Sequence, residues 1–363
     1  MKIKTNFDFA KFIKGALKNN YVLFVLLGLV FVILQVLGSV GVLQVSLMRG
    51  FGKLMIFTIA TLGFFILLGY GGLASLGTAG FIGLGAYLGG YLVSYGGVPT
   101  FSSLIIIILV AIVLGVVVGF ISLRIEGMYL AIVTLGLSEI LVSIFKTSNH
   151  PFSNGSIDGS LAFFTSPLDL FGFIKLDRVS VFYLIAVIFV IALFLTMNIA
   201  NSPTGRAMLT MKNSESAAQT MGVGLLKYRL LSFVIATVFA MVAGYLYAIY
   251  YKNVQPTTWN LALSLNVLAA VVIGGTKSIW GLLAGAFLIF GLNDIVLINV
   301  EFFVQNPDFI NIFNGVLMII IVMFYPGGLS QLFFELKYKK KMKHRPLLER
   351  LKIKKAKGDT THE

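Results

Sequence analysis

A polar, basic segment at 202–229, SPTGRAMLTMKNSESAAQTMGVGLLKYR, lies between two long apolar blocks of the chain. Within it, Ser214 suits a helix N-cap, Glu215 suits the first helical turn, and Gly222 suits a C-terminal stop. We therefore predict a helix of about two turns, with Ala217-Ala218 giving it a small-residue face. Such a helix either only connects the two apolar blocks or binds in a groove of a partner protein.

No group of side chains in the sequence has the spacing of a familiar catalytic or metal site. His150, His344 and His362 are too dispersed to share a metal, and the chain contains no cysteine. No phosphate-binding G-x-x-x-x-G-K-[ST] pattern occurs. We therefore expect that the chain is not an enzyme and that it has no catalytic residues and binds no metal or cofactor. Any ATP hydrolysis is then expected in another chain.

Three polar side chains interrupt long apolar runs, where an ionisable or amide group is costly and is therefore a candidate for function. Glu139 shares a helical face with Gly136 and Ser143, Asp294 lies in a later run, and Asn266 lies in a short one. Each of the three either lines a solute pathway or forms a structural contact with a neighbouring helix.

A glycine-rich motif, LGYGGLASLGTAGFIGLGAY, occupies residues 68–87. Small residues let membrane helices approach closely, and glycine also lets a backbone unwind towards a ligand. Ser75 and Thr78 of this motif, with Thr134 of a later run, are candidates for a solute pathway or for packing. The pattern Gly71-Gly72-x-x-Ser75 returns as Gly274-Gly275-x-x-Ser278, which is consistent with an internal repeat.

Hydrophobic residues make up 58% of the 363-residue sequence and charged residues only 12%. Repeated apolar runs of about 17 to 25 residues predict membrane-spanning helices, and their continuity argues against an outer-membrane barrel. We predict an all-α, polytopic bundle of about ten spans, of which the third and eighth are candidates for broken or re-entrant segments. The predicted spans are 21–43, 54–70, 73–95, 101–123, 128–146, 179–199, 230–251, 261–275, 279–298 and 309–325.

We interpret the net charge of +14 as an indication of how the chain is oriented in the membrane, and not of nucleic-acid binding. With a cytoplasmic amino terminus, most Lys and Arg residues fall in cytoplasmic segments, which predicts that both termini are inside. Arg49 and Lys53 are the main exceptions, in the predicted external link before the second span. The predicted organisation is a basic cytoplasmic amino terminus (1–20), a transmembrane domain (21–330) with a cytoplasmic loop (202–229) and an external loop (147–178), and a basic cytoplasmic tail (331–363).

Five stretches together resemble the permease subunits of ABC importers for branched-chain amino acids, specifically the longer of the two paired permeases. The resemblance covers about residues 50–330, and the stretches follow the family's order. They are LGYGGLASLGTAGFIGLGAY at 68–87, RIEGMYLAIVTLGLSEI at 124–140, SPTGRAMLTMKNSESAAQTMGV at 202–223, VVIGGTKSIWGLLAGA at 271–286 and FYPGGL at 324–329.

The resemblance implies roles for residues and for partners. It makes Glu139 the acidic residue of the family's TLxxxEI stretch. It implies a pore of two permease subunits, the second a paralogue, with two cytosolic ATPase subunits that use ATP and Mg²⁺, an external substrate-binding protein and a bacterial cytoplasmic membrane around them. Six residues are assigned to the loop that contacts the ATPase: Gly205, Arg206, Glu215, Ala217, Ala218 and Gly222.

Two departures from the family pattern bear on the solute. Thr78 stands where the family's SLGHA has a histidine, and the external residues 152–159 match the family's TGGxxG only loosely. We predict a permease subunit of an ATP-driven importer for branched-chain amino acids. A nucleoside, a urea or amide, or a sugar is an alternative solute. An ion-coupled secondary transporter, with Glu139 or Asp294 as its coupling site, and a membrane-embedded enzyme are alternatives of other classes.

Overall fold

The structure is a computed structural model of the chain. It describes residues 20–41, 44–122, 128–147, 160–162, 168–169, 175–176, 178–297 and 327–331, with the isolated positions 309, 312, 315, 316, 319, 320 and 323. Helices dominate this described part. They are α1 (Asn20–Ser39), α2 (Val45–Phe65) with a π-helical turn (Ile66–Tyr70), α3 (Thr78–Ser94), α4 (Thr100–Ser122), α5 (Met128–Lys146), α6 (Arg178–Asn201), α7 (Pro203–Asn213), α8 (Glu215–Thr220), α9 (Leu225–Tyr251), α10 (Leu261–Gly274), and α11 (Ile279–Ala286) with a π-helical continuation (Phe287–Val296).

Within the described residues, seven helices are long and apolar enough to cross a membrane. α3 and the segment Ile279–Leu292 are shorter apolar helices. The chain is therefore a helical, multi-pass membrane protein. Of the ten predicted spans, the first nine each correspond to one of these helices, and most of the tenth, 309–325, lies outside the described residues.

Three predicted boundaries are wrong. The second helix begins at Val45 and not at 54, so Arg49 and Lys53 lie inside a helix and not in an external link. The helix of the seventh predicted span begins at Leu225, within the predicted loop. The third predicted span is helical only from Thr78, and the residues before it are a non-helical break, as the glycine-rich motif suggested.

α9 is the central element of the bundle and contacts α2, α3 and α4. Its crossing with α3 is a backbone-to-backbone contact made possible by glycine. A methyl group at Gly244 would lie 1.8 Å from the carbonyl oxygen of Ile82, and one at Gly85 would lie 2.1 Å from that of Met241. These two glycines therefore fix how closely α3 and α9 pack.

Two breaks in the helices meet in the half of the bundle that faces α7. The first follows α2, where Gly72 has φ +69°, and the second follows α10, where Gly275 has φ +91°; both torsions favour glycine. Each is the second glycine of the repeated Gly-Gly-x-x-Ser pattern. A methyl group at Gly69 would lie 3.3 Å from the carbonyl oxygen of Thr276, so the two breaks are neighbours in space.

The opposite end of the bundle is closed by the carboxyl-terminal half of α9. The Tyr250 hydroxyl donates to Met48 O at 3.0 Å, and the Tyr245 hydroxyl donates to Thr100 O at 2.6 Å. Short antiparallel strands lie at this end: β1 (Leu161–Ala162) pairs with β4 (Asn253–Val254), and β2 (Leu168–Asp169) pairs with β3 (Lys175–Leu176). The predicted external loop, 147–178, thus contributes strands, although most of it lies outside the described residues.

The α3–α9 contact predicts the effect of one methyl group. We expect Gly244→Ala to lower the stability of the solubilised chain by about 1–3 kcal/mol, because the added carbon has no space beside Ile82. The measurement is the midpoint of thermal unfolding in detergent. Gly136→Ala is the matched control, since a methyl group there meets nothing within 4 Å. Equal midpoints for the two variants would contradict this account of the crossing.

Candidate functional site

The polar segment between α6 and α9 forms two helices and not the single one predicted. α7 starts at Ser202, whose Oγ accepts from Gly205 N at 3.1 Å, with Pro203 in the first turn. α8 starts at Ser214, whose Oγ accepts from Ala217 N at 3.3 Å, and the chain turns after it at Gly222, with φ +78°. The capping of α8 confirms the predicted helix. α7 was missed, although Ser202-Pro203 is itself a helix-start signal.

The six residues assigned to the ATPase-contacting loop divide into two groups. Gly205 and Ala218 are buried within the chain, and a methyl group at Gly205 would lie 2.3 Å from Ile199 O. The other four are exposed: Arg206, Glu215, Ala217 and Gly222. The buried pair therefore packs α7 and α8 against the bundle, and the exposed four form the outer surface of this unit.

An ion pair connects α8 to α9. Glu215 accepts from the guanidinium of Arg229, whose side chain is 16% exposed, while that of Glu215 is 54% exposed. A pair this open to water contributes little to stability, about 0–1 kcal/mol. Its structural effect is to orient α8 relative to the first turn of α9.

A single lysine connects α7 to the first break. Lys212 Nζ donates to Gly69 O at 2.9 Å, at the carboxyl end of the π-helical turn, where a cation interacts favourably with the helix dipole. A methyl group at Gly72 would lie 3.1 Å from Lys212 Cγ, so the aliphatic stem of the lysine lies on the break. Partial burial, and secondarily the charge of Lys277, lower the pKa of Lys212. Sequence spacing does not indicate this contact, because the two residues are 143 positions apart.

The break between α2 and α3 is held by hydroxyl groups from two other helices. Leu76 N donates to Thr134 Oγ1 of α5 at 3.1 Å, and Ala79 N donates to Ser264 Oγ of α10 at 2.9 Å. Ser75 Oγ accepts from Gly77 N at 3.3 Å. The first turn of α3 therefore lies between α5 and α10, and Thr134 and Ser75 satisfy backbone groups that would otherwise lack partners in the bundle.

A narrow cavity lies at the start of α3. Its volume is about 10 Å³, which is barely enough for one water molecule, and it is lined by Ser75, Thr78, Thr237 and apolar side chains of α2, α3 and α9. Thr78 is only 7% exposed, and its hydroxyl makes no hydrogen bond among the residues that the structure describes. The structure thus brings together the predicted residues Ser75, Thr78 and Thr134 around one break.

The predicted residue Asp294 has a charge partner in the chain. Lys53 Nζ of α2 lies 2.6 Å from Asp294 Oδ2 on the π-helical continuation of α11, in the geometry of an ion pair and not of a well-directed hydrogen bond. The two side chains are 37% and 27% exposed. The pair explains why Lys53 interrupts an apolar helix.

Glu139 and Asn266 differ from Asp294 in having no charge or hydrogen-bond partner among the described residues. Both are exposed on the outer surface of the chain, on α5 and α10 respectively. Neither side chain makes an ion pair or hydrogen bond within the described part of the chain. The structure therefore does not bring either residue into the cavity at the start of α3.

A family model described as "Branched-chain amino acid transport system / permease component" matches residues 46–322. The chain belongs to this permease family. The match confirms the resemblance inferred from the five sequence stretches. It covers the ion pair of Lys53 and Asp294, both breaks and the α7–α8 unit, and it stops before the basic tail.

Individual relatives agree with the family assignment. The permease is 31% identical over 295 residues to the high-affinity branched-chain amino acid transport system permease protein LivM of Escherichia coli, an overlap of 76% of this chain and 68% of the relative. It is 26% identical over 241 residues to the probable branched-chain amino acid transport permease protein LivM of Methanocaldococcus jannaschii, covering 62% and 68%. It is 24% identical over 208 residues to the ribose import permease protein RbsC of Haemophilus influenzae, covering 54% and 60%. No solved structure matches the chain.

The ion pair in the permease predicts that two neutralising substitutions cost less together than separately. Lys53→Met alone leaves a carboxylate without its counterion, and Asp294→Leu alone leaves an ammonium group. Because the pair is partly exposed, we expect each to lower stability by only about 1–2 kcal/mol. The double variant is expected to unfold at a higher temperature than either single variant, as measured in detergent. If the losses from the two substitutions simply add, the two side chains do not act as a pair.

Proposed function

We propose that this chain is a membrane-spanning permease subunit of an ATP-driven importer and that its solute is a branched-chain amino acid. The family assignment and the names of the LivM relatives, which are branched-chain amino acid transport permeases, support this proposal. A sugar is the second candidate solute, because a ribose import permease is similar over 54% of the chain. The chain would lie in the cytoplasmic membrane of a bacterium, with the α7–α8 unit and both termini inside.

The observation that carries the proposal is the construction of the α7–α8 unit. Its exposed surface includes Arg206, Glu215 and Ala217, which suits a partner that seats on it. Its inner side is attached to two different parts of the bundle, through Lys212 to the first break and through Glu215 to α9. A displacement of the unit would therefore reach both a non-helical segment and the central helix.

This geometry supports a mechanism of alternating access. Two cytosolic ATPase subunits, which bind ATP and Mg²⁺, would seat on this chain and on a second, paralogous permease subunit. Their change of state would move the α7–α8 unit and shift the bundle between two global arrangements, since contacts that differ between two states bias their equilibrium. A binding protein would deliver the solute from the outer side. In this proposal the chain itself binds no cofactor, metal or nucleic acid.

The role of Lys212 in this mechanism is testable by substitution. Lys212→Met removes the donor to Gly69 O but keeps the aliphatic stem on Gly72. We expect uptake by cells to fall by about tenfold, a factor that corresponds to a typical coupling free energy between two sites. The amount of inserted protein is expected to be unchanged. Lys227→Met is the control, because Lys227 is an exposed lysine that lies over the Tyr228 ring. Equal uptake by the two variants would remove Lys212 from the mechanism.

The partner assignment is tested by purification. The tagged chain, extracted from its natural membrane, is expected to carry stoichiometric ATPase subunits, and Glu215→Arg is expected to reduce their amount. Gln44→Arg is the control, because it places the same guanidinium group at an exposed position at the opposite end of the bundle, with a charge change of about +1 against about +2 for Glu215→Arg. Combining Glu215→Arg with Arg229→Glu restores the ion pair and separates loss of surface charge from misorientation of α8. Reproducible absence of ATPase from an intact, stable preparation would overturn the proposed function.

A further inference from the structure

The outer surface of α5 and α10 carries polar groups at a depth where lipid would be expected. We call it the polar outer face and define it by Gly136, Glu139 and Ser143 of α5 and Asn266 of α10, all of which are exposed. A methyl group at Gly136 meets nothing within 4 Å, so the described residues leave the helix surface uncovered at this position.

The depth of this face follows from the helices that carry it. Glu139 is the twelfth of the 19 residues of α5, so it lies about 17 Å along a helix of about 28 Å. A methyl group at Gly80 of α3 would lie 2.8 Å from Ser138, the neighbour of Glu139, and Ser264, two residues before Asn266, bonds to the first turn of α3. Both polar side chains therefore lie near the level at which α3 starts, in the middle of the bundle.

Lipid is a poor solvent for these groups. An ionised side chain at the centre of a span costs about 2.5–3.5 kcal/mol on insertion scales. α4 presents a contrasting surface at which Leu109, Val113 and Val117 are 58%, 60% and 50% exposed, as suits contact with lipid. The polar outer face is therefore expected to contact water or another polar surface in the assembled transporter.

We propose that the polar outer face is a wall of a water-filled solute pathway, that Asn266 lines this wall, and that Glu139 binds the ammonium group of the solute there. The carboxylate meets no cation among the residues that the structure describes, and a solute with an ammonium group supplies the complementary charge. Two exposed aliphatic side chains on the same helix as Glu139 offer contact to the rest of such a solute. They are Ile132, which is 61% exposed, and Ile140, which is 59% exposed. A neutral sugar would leave the carboxylate without its counterion. The inference rests on the proposed function and narrows the solute to one that carries an ammonium group.

Because the sequence contains no cysteine, thiol labelling of a single introduced cysteine reports on that position alone. Ser143→Cys and Asn266→Cys, each in the full transporter in native membrane vesicles, are expected to lose their free thiol to a charged, membrane-impermeant reagent. Val113→Cys, on the lipid-type surface of α4, is expected to lose none. Protection of both positions 143 and 266 from the reagent would overturn the pathway, because the face would then be covered by lipid or by a partner protein.

The proposal that Glu139 binds an ammonium group is tested by whether a solute protects the thiol of Ser143→Cys from the labelling reagent. L-leucine is expected to slow its labelling, whereas 4-methylpentanoate, which differs only in lacking the ammonium group, is not. Adding Glu139→Gln is expected to abolish protection by leucine, and adding Glu139→Asp to retain part of it. Equal protection by the two compounds, protection by neither, or protection that survives Glu139→Gln overturns the assignment. Labelling does not require ATPase activity, so its outcome is independent of the purification that tests the proposed function.

Discussion

The arrangement of the bundle depends on one constraint: the backbone polar groups of the non-helical segment between α2 and α3 need partners inside a membrane protein. The partners come from three separate elements. Thr134 of α5 accepts from Leu76 N, Ser264 of α10 accepts from Ala79 N, and Lys212 of α7 donates to Gly69 O. Because these bonds converge on one short segment, the positions of α5, α7 and α10 are set by the break as much as by apolar packing.

The same constraint connects the α7–α8 unit to the interior. Gly69 O is a carbonyl at the end of a helix, where the i→i−4 ladder supplies no donor, so the bond from Lys212 satisfies a real need of the backbone. Thr276 of the second break lies against Gly69 as well. A movement of α7 therefore acts on the meeting point of two breaks, where the chain has few helical bonds to resist it. If the helices were unbroken at this position, a movement of α7 would be transmitted only along their axes.

Features set by neighbouring residues could be predicted from the sequence, whereas contacts between residues far apart in the chain could not. The helix at Ser214, Glu215 and Gly222 was predictable, because caps and stops are set by neighbours in the chain. The contact of Lys212 with Gly69 was not, since the two are 143 residues apart. Lys53 was assigned to a loop for the same reason: a lysine in an apolar run resembles a helix boundary until its partner, Asp294, is known. The burial of Ala218 likewise depends on packing between elements, which spacing alone does not reveal.

Two acidic residues of the spans, which the sequence presents as equivalent, are separated by their surroundings. Asp294 lies on a π-helical segment and meets Lys53, so its charge is balanced within the chain and a structural role accounts for it. Glu139 lies on an ordinary α-helix, faces outward and meets no cation of the described chain. Since an uncompensated carboxylate in mid-membrane is costly, Glu139 calls for a polar neighbour beyond the described residues: water, a solute, another subunit or another segment of the chain. The balance of charge inside the fold is therefore a better guide to function here than the presence of an ionisable residue in an apolar run.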